Sequence, residues 1–216
     1  MSLNQALQAL NTQGLAKMPP TAKAILQKGL RELWASGLAE KALQVGQKIP
    51  EAVLPNAFGQ SLSIQDLYAQ GPLVISFYRG SWCPYCNLEL RAQQAILPEL
   101  QALGAQLVAI SPELPDHSLD LKEKLALEFE VLTDRENAYA RSLGLVFAVN
   151  PDLQAVYRGL LKLNLNQHNG STQAELPIPA TYVVNRSGKV ILAHIQADYT
   201  QRMEPDSILQ VLKFEK

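Results

Sequence analysis

The chain holds two cysteines, Cys83 and Cys86, with two residues between them in Arg79-Gly80-Ser81-Trp82-Cys83-Pro84-Tyr85-Cys86. Two thiols at this spacing can close a small disulfide ring, share a metal, or divide a redox cycle between an attacking and a resolving sulfur. The flanking residues favour the last of these. An apolar run, Leu73 to Tyr78, reads as a buried strand, and Asn87 to Ala92 continues as helix. Cys83 is therefore expected at a helix N-terminus, where unpaired N–H groups and the macrodipole favour a thiolate. Cys86, one turn further in, can reach back as the resolving partner. Pro84 suits a first helical turn because the N–H it lacks would have no partner there. Trp82 offers a flat apolar wall beside the sulfur. Glu89, three residues beyond Cys86, is either an aid to proton transfer or a solvent-exposed helix acid.

The rest of the chain must position that loop. Its 216 residues, 47% hydrophobic and 18% charged, suit one globular domain with an appendage. A net charge of -1 leaves no electrostatic footprint for nucleic acid. No run of 18 apolar residues predicts a membrane span, and the start lacks a secretory pattern, so a cytoplasmic protein is expected. In a reducing compartment a cysteine pair is rarely a structural staple.

Residues 1–46 read as a helical extension, with Leu26, Leu30, Leu33, Trp34 and Leu38 on one face, a start at Pro19-Pro20 and a stop at Ser36-Gly37. Such a piece is a lid, a dimerisation arm that would make a homodimer, or simply a helical cover. From residue 47 to 216 a single domain is expected. Short extended pieces flank an Asn56-Ala57-Phe58-Gly59 turn, and Ser63 caps a short helix. The cysteine helix is kinked near Pro98, and strands at Ala105–Ser111 and Val131-Leu132 alternate with helices. Leu153 to Leu165 fits helix or strand equally, and residues 167–172 read as a polar loop. Thr181–Val184 and Lys189–His194 form a hairpin around Asn185–Gly188, and a helix spans Pro205–Phe214. This order predicts a thioredoxin-like α/β fold, three layers α/β/α around a mixed sheet.

Trp82-Cys83-Pro84-Tyr85-Cys86 resembles the Trp-Cys-x-x-Cys signature of thioredoxin-fold proteins, with the Pro-Tyr interior of glutaredoxins. The segment from Arg79 to Arg91, with Ile178-Pro179-Ala180-Thr181-Tyr182-Val183-Val184 and Asp198 to Pro205, resembles the peroxiredoxin-like branch of the alkyl hydroperoxide reductase and thiol-specific antioxidant (AhpC/TSA) superfamily. The resemblance spans about Val45 to Phe214. The candidate catalytic residues are Cys83, Cys86, Arg79, Ser81 and Trp82, the candidate substrate contacts are Pro179 and Tyr85, and no cofactor is expected. The resemblance implies a cis peptide before Pro179, a form taken by only ~5% of X–Pro bonds, while an ordinary trans proline at the start of a strand is equally compatible with the sequence. Where family members carry Pro-x-x-x-Thr-x-x-Cys, this chain has Ser76 and Gly80. Arg79 and the Ser81 hydroxyl are the nearby substitutes, unless Arg79 is a surface arginine.

Two enzymatic readings use the same sulfurs. In one, the Cys83 thiolate reduces a hydroperoxide and Cys86 condenses with the resulting sulfenic acid; thioredoxin, glutaredoxin or glutathione then restores the dithiol. In the other, Cys83 attacks a disulfide. A zinc half-site, with His117, His168 and His194 read as isolated, and a redox-inactive scaffold are the non-enzymatic readings. Asp198, Tyr199, Arg202 and Glu204 read as a braced helix entry with an Asp–Arg pair, or else Arg202 reaches the site.

Overall fold

A computed structural model describes residues 1–215. In chain order the elements are α1 (Leu3–Lys17), α2 (Pro20–Ala35), α3 (Leu38–Lys41), β1 (Val53–Pro55), β2 (Ser61–Ser63), α4 (Ile64–Gln70) and β3 (Leu73–Phe77). There follow α5 (Pro84–Ala95), α6 (Leu97–Ala102), β4 (Gln106–Ser111), α7 (Pro115–Leu125), β5 (Glu130–Thr133), α8 (Ala138–Ser142) and β6 (Val146–Ala148). The chain closes with α9 (Pro151–Leu160), α10 (Leu165–Asn169), β7 (Glu175–Pro177), β8 (Ala180–Val184), β9 (Val190–Ile195) and α11 (Pro205–Phe214).

Five strands form the main sheet in the order β5-β4-β3-β8-β9. The β3–β4 and β4–β5 pairs are parallel, while β3–β8 and β8–β9 are antiparallel. Every residue of β3 is buried, as a continuous apolar run at the centre of a covered sheet requires. Its alternation divides two cores. Leu73, Ile75 and Phe77 face Ile64, Tyr139 and Leu143, whereas Val74 and Tyr78 face Leu90, Leu121 and Leu209. The result is the expected three-layer α/β/α arrangement around a mixed sheet.

The break near Pro98 falls at Ile96, with Pro98 in the first turn of α6, where its missing N–H costs nothing. Ser63 caps α4 by accepting from the Asp66 N–H at 3.1 Å. The stretch that sequence left open between helix and strand is helical. Asn150 accepts from the Leu153 N–H at 2.9 Å to start α9, and Asn164 caps α10. Part of the expected polar loop at 167–172 is thus the end of α10. Strands β6 and β7 pair antiparallel and close off this excursion, a pairing with too little local pattern to be foreseen.

The N-terminal helices lie on the rest of the chain, α1 against α5 and α2 against α9. Leu3 and Leu7 are buried, and the α1 N-terminus is held by the Glu204 carboxylate, which accepts from Leu3 and Asn4 N–H at 3.2 and 2.8 Å. Trp34 does not pack with the half-buried Leu26, Leu30 and Leu33 of α2: it is 73% exposed, at the edge of their face.

The expected cis peptide at Pro179 is absent; no described peptide bond is cis. Pro179 lies between β7 and β8, where a trans proline satisfies the chain. Its carbonyl accepts from Gln196 N–H at 3.2 Å, and no strand partner needs the N–H it lacks.

Candidate active site

The helix α5 is built to carry two sulfurs inward. Its buried residues, Cys86, Glu89, Leu90 and Gln93, recur at the i, i+3, i+4, i+7 spacing of a helix face pressed on a sheet. The sheet beneath is polar where the helix is polar. Gln93 donates to Ser76 Oγ at 3.1 Å, and Thr181, the strand partner of Ser76, donates to Glu89 Oε1 at 3.4 Å. Glu89 is therefore not the solvent-exposed acid that its helical position allowed.

Cys83 is the N-cap residue of α5, and both cysteines are free thiols, 1% and 0% exposed. Burial pushes the Cys83 thiol up, but a bond from Cys86 and the charges of Arg79 and Arg202 outweigh it and leave it lowered to about 6. Burial and the neighbouring Cys83 thiolate hold Cys86 well above the usual cysteine range. One thiol is thus ionised at neutral pH while the other keeps its proton.

Arg79 is buried rather than at the surface, and its Nη1 lies 3.9 Å from Cys83 Sγ. Its Nη2 donates to the Tyr157 hydroxyl, and its plane is stacked near the rings of Trp82 and Tyr199, 4.8 and 4.3 Å from their centroids. No carboxylate answers its charge in these contacts. Arg202 differs. Its Nε donates to Glu89 Oε2 at 2.5 Å, its Nη1 to the carbonyls of Tyr199 and Gln201, and its Nη2 lies 3.4 Å from Cys86 Sγ. The expected Asp–Arg pair is absent. Asp198 instead accepts from Thr200 N–H and Oγ1 and from the Gln201 amide, shaping the loop that delivers Arg202. Burial pushes Glu89 up to about 7, against the opposing charge of Arg202.

The Ser81 side chain does not meet the sulfur. The backbone N–H of Ser81 donates to Glu113 Oε2 at 2.7 Å, while Tyr78 and His168 engage the same carboxylate at 2.7 and 3.1 Å. Burial alone would raise Glu113; these bonds hold it below the usual carboxylate range. Glu113 thus fixes the cysteine loop from the far end of β4. The only advance sign of it was an acid two residues beyond a buried strand. The histidines are not all isolated: His117 and His168 stack with ring centroids 3.8 Å apart. Among the described residues no group of three or more His, Cys, Asp and Glu could hold a metal ion.

Gly80 stands where family members carry threonine, and its φ of +144° belongs to glycine. A Cβ there would lie 2.4 Å from Trp82 Nε1, so the indole occupies the space a side chain at 80 would need. Trp82 Nε1 and Arg79 Nε are buried donors with no partner among the described residues. Both residues line a cavity of about 210 Å³ that also reaches Cys83, Tyr85, Tyr157 and Tyr199. Tyr85 donates to Asn11 Oδ1 of α1 at 3.2 Å and packs edge-on to Tyr199. Pro179 does not line this cavity, although the Phe77–Ala180 pairing brings it to the same end of the sheet. Tyr157 was missed by sequence reasoning because nothing local marks one aromatic on an amphipathic helix as functional.

A mixed sheet between helix layers, with a dithiol at the N-terminus of the helix after its central strand, defines a thioredoxin-like fold. Within that class the chain belongs to the AhpC/TSA family, whose model matches residues 45–193. A putative peroxiredoxin bcp of Coxiella burnetii is 28% identical over 109 residues, 50% of this chain and 72% of that protein. A thiol-disulfide oxidoreductase ResA of Geobacillus thermodenitrificans is 22% identical over 160 residues, covering 73% of this chain and 74% of the other. The crystal structure of peroxidoxin BcpB from Mycobacterium tuberculosis superposes with a TM-score of 0.64 at 18% identity, covering 81% of this chain and 99% of that one. No described helix is long and apolar enough to cross a membrane.

Proposed function

We propose that the chain is a thiol peroxidase in which Cys83 is the peroxidatic and Cys86 the resolving residue. The observation that carries this is a thiol lowered to about 6 at a cavity lined by Arg79, whose Nη1 lies 3.9 Å from the sulfur, and by Trp82. A thiolate needs no base to attack, and the Arg79 guanidinium is the cationic donor beside it in place of the family's threonine. The Cys83 sulfur attacks one peroxide oxygen, the O–O bond breaks, and the released alkoxide or hydroxide takes up a proton. Cys83 is then a sulfenic acid. Cys86 loses its proton, with Glu89 the nearby carboxyl suited to receive it, and its sulfur displaces water from Cys83 to form the disulfide. An external thiol of the thioredoxin, glutaredoxin or glutathione class, in the cytoplasm, then reduces the disulfide in exchange for its own oxidation. Residues 1–46 act in this reading as an extension to a catalytic domain that begins at residue 47. Arg202 with Glu89 serves the resolving sulfur, and Ser81 serves through its backbone.

The test is trapping. Cys86→Ser treated with one equivalent of cumene hydroperoxide and then dimedone should carry a single adduct at Cys83 by mass spectrometry; an unmodified Cys83 would refute the peroxidase chemistry. The ResA relatives and the dithiol spacing favour a second reading, thiol–disulfide exchange, in which Cys83 attacks a sulfur instead of an oxygen.

A further inference from the structure

Helices α1 and α2 precede the matched segment 45–193, yet they and the turn between them supply Leu10, Gly14, Met18 and Leu26 to the cavity at Cys83. We propose that these residues are specificity-determining: they make the site prefer hydroperoxides with an apolar body over hydrogen peroxide. The inference rests on the peroxidase reading and adds to it a substrate class and the residues that select it.

The cavity has two ends of different chemistry. Its floor carries the Cys83 sulfur, Arg79 and the phenols of Tyr157 and Tyr199, and its walls are Leu10, Met18 and Leu26 on one side and Val156, Leu160 and Leu161 on the other. Leu160 and Leu161 are among the exposed large hydrophobics, which places them at the mouth. About 210 Å³ is below the usual range for drug-sized ligands, so it admits a short chain or a single ring and no folded partner. Hydrogen peroxide gains nothing from an apolar wall, because it has no apolar surface to remove from water. An alkyl or aryl group does gain, and the gain continues into the transition state because the group stays in place while the O–O bond breaks. The wall is held in position from both ends. Glu204 fixes the start of α1, and Asn11 accepts from Tyr85 beside the sulfur.

Gly14 makes the test clean. It lies within α1, lines the cavity, and a Cβ there meets no atom within 4 Å. Gly14→Phe therefore adds its Cβ without a clash at the cavity's edge and raises helix propensity, and circular dichroism checks that the fold is kept. Stopped-flow fluorescence of the full chain gives the rate constants for cumene hydroperoxide and for hydrogen peroxide. The ratio of the first to the second should fall about tenfold in Gly14→Phe and also in Leu10→Ser, the scale on which a hydrophobic pocket discriminates. A ratio within twofold of the wild type in both variants would overturn the proposal. If the wild type reacts with neither peroxide faster than free cysteine, the peroxidase reading itself has failed. The wall is then judged by alkylation of Cys83: the rate ratio of N-phenylmaleimide to iodoacetamide should fall in Gly14→Phe, and an unchanged ratio would overturn it.

Discussion

Arg79 beside Cys83 and Arg202 beside Cys86 are both buried, and they differ in what answers their charge. Arg79 is surrounded by neutral groups, the Tyr157 hydroxyl and the faces of Trp82 and Tyr199, so its charge acts on the sulfur. Arg202 is paired with Glu89, and its charge still reaches both sulfurs, lowering Cys86 more than Arg79 does. The two thiols sit three residues apart on one helix, equally buried, yet one is lowered and the other raised. Desolvation is common to both, so it cannot be what separates them. What separates them first is the bond between them: Cys86 keeps its proton and bonds to Cys83, which lowers the one and raises the other, and the Arg79 and Arg202 charges add to the lowering of Cys83.

The largest effect should come from breaking the Arg202 side. Arg202→Ala leaves Glu89 buried without its cation, which costs ~3–5 kcal/mol by analogy with broken buried pairs. The loss, read from urea unfolding, should be greater at pH 8 than at pH 5. Without the arginine the carboxyl holds its proton to higher pH, and below that point it is buried as a neutral acid. Arg202→Met with Glu89→Gln should recover most of the stability. A single variant costing under ~1 kcal/mol would show that the pair is not the balanced unit described.

Breaking the Arg79 side should spare more of the fold and strike the chemistry. Arg79→Met keeps much of the volume and removes the charge, so the Cys83 pKa should rise from about 6 towards the usual cysteine value of ~8.5. Thiolate is lost as pH falls through the pKa. Iodoacetamide reactivity should therefore fade below pH 6 in the wild type and from a higher pH in the variant, where the Cys86 bond and Arg202 remain, with a loss of roughly several-fold at pH 7. An unmoved profile would assign the low pKa to something other than Arg79.

The strand–loop–helix around Cys83 was legible because local signals agree there: an apolar run, a proline at the first turn and a helical pattern behind it. The same agreement placed β8, β9 and α11. What sequence could not reveal was convergence from a distance. Glu89 reads as an ordinary helix acid until Arg202, 113 residues away, is folded against it. Arg79 reads equally well as a surface residue, since its burial is made by Tyr157 and Tyr199 from later elements. The trans Pro179 shows the opposite limit. Resemblance implied a cis bond, but the loop between β7 and β8 satisfies its hydrogen bonds without one.

The contrast between the two sulfurs has a direct kinetic reading. Stopped-flow mixing of the reduced protein with cumene hydroperoxide and, separately, with a small aromatic disulfide measures which electrophile the Cys83 thiolate is built to meet. A second-order constant for the hydroperoxide at least ~100-fold above free cysteine at the same pH, the scale contributed by one oriented donor, is the expected result. A hydroperoxide constant equal to that of a free thiol, with a fast reaction at the disulfide, would contradict the peroxidase account and leave thiol–disulfide exchange in its place.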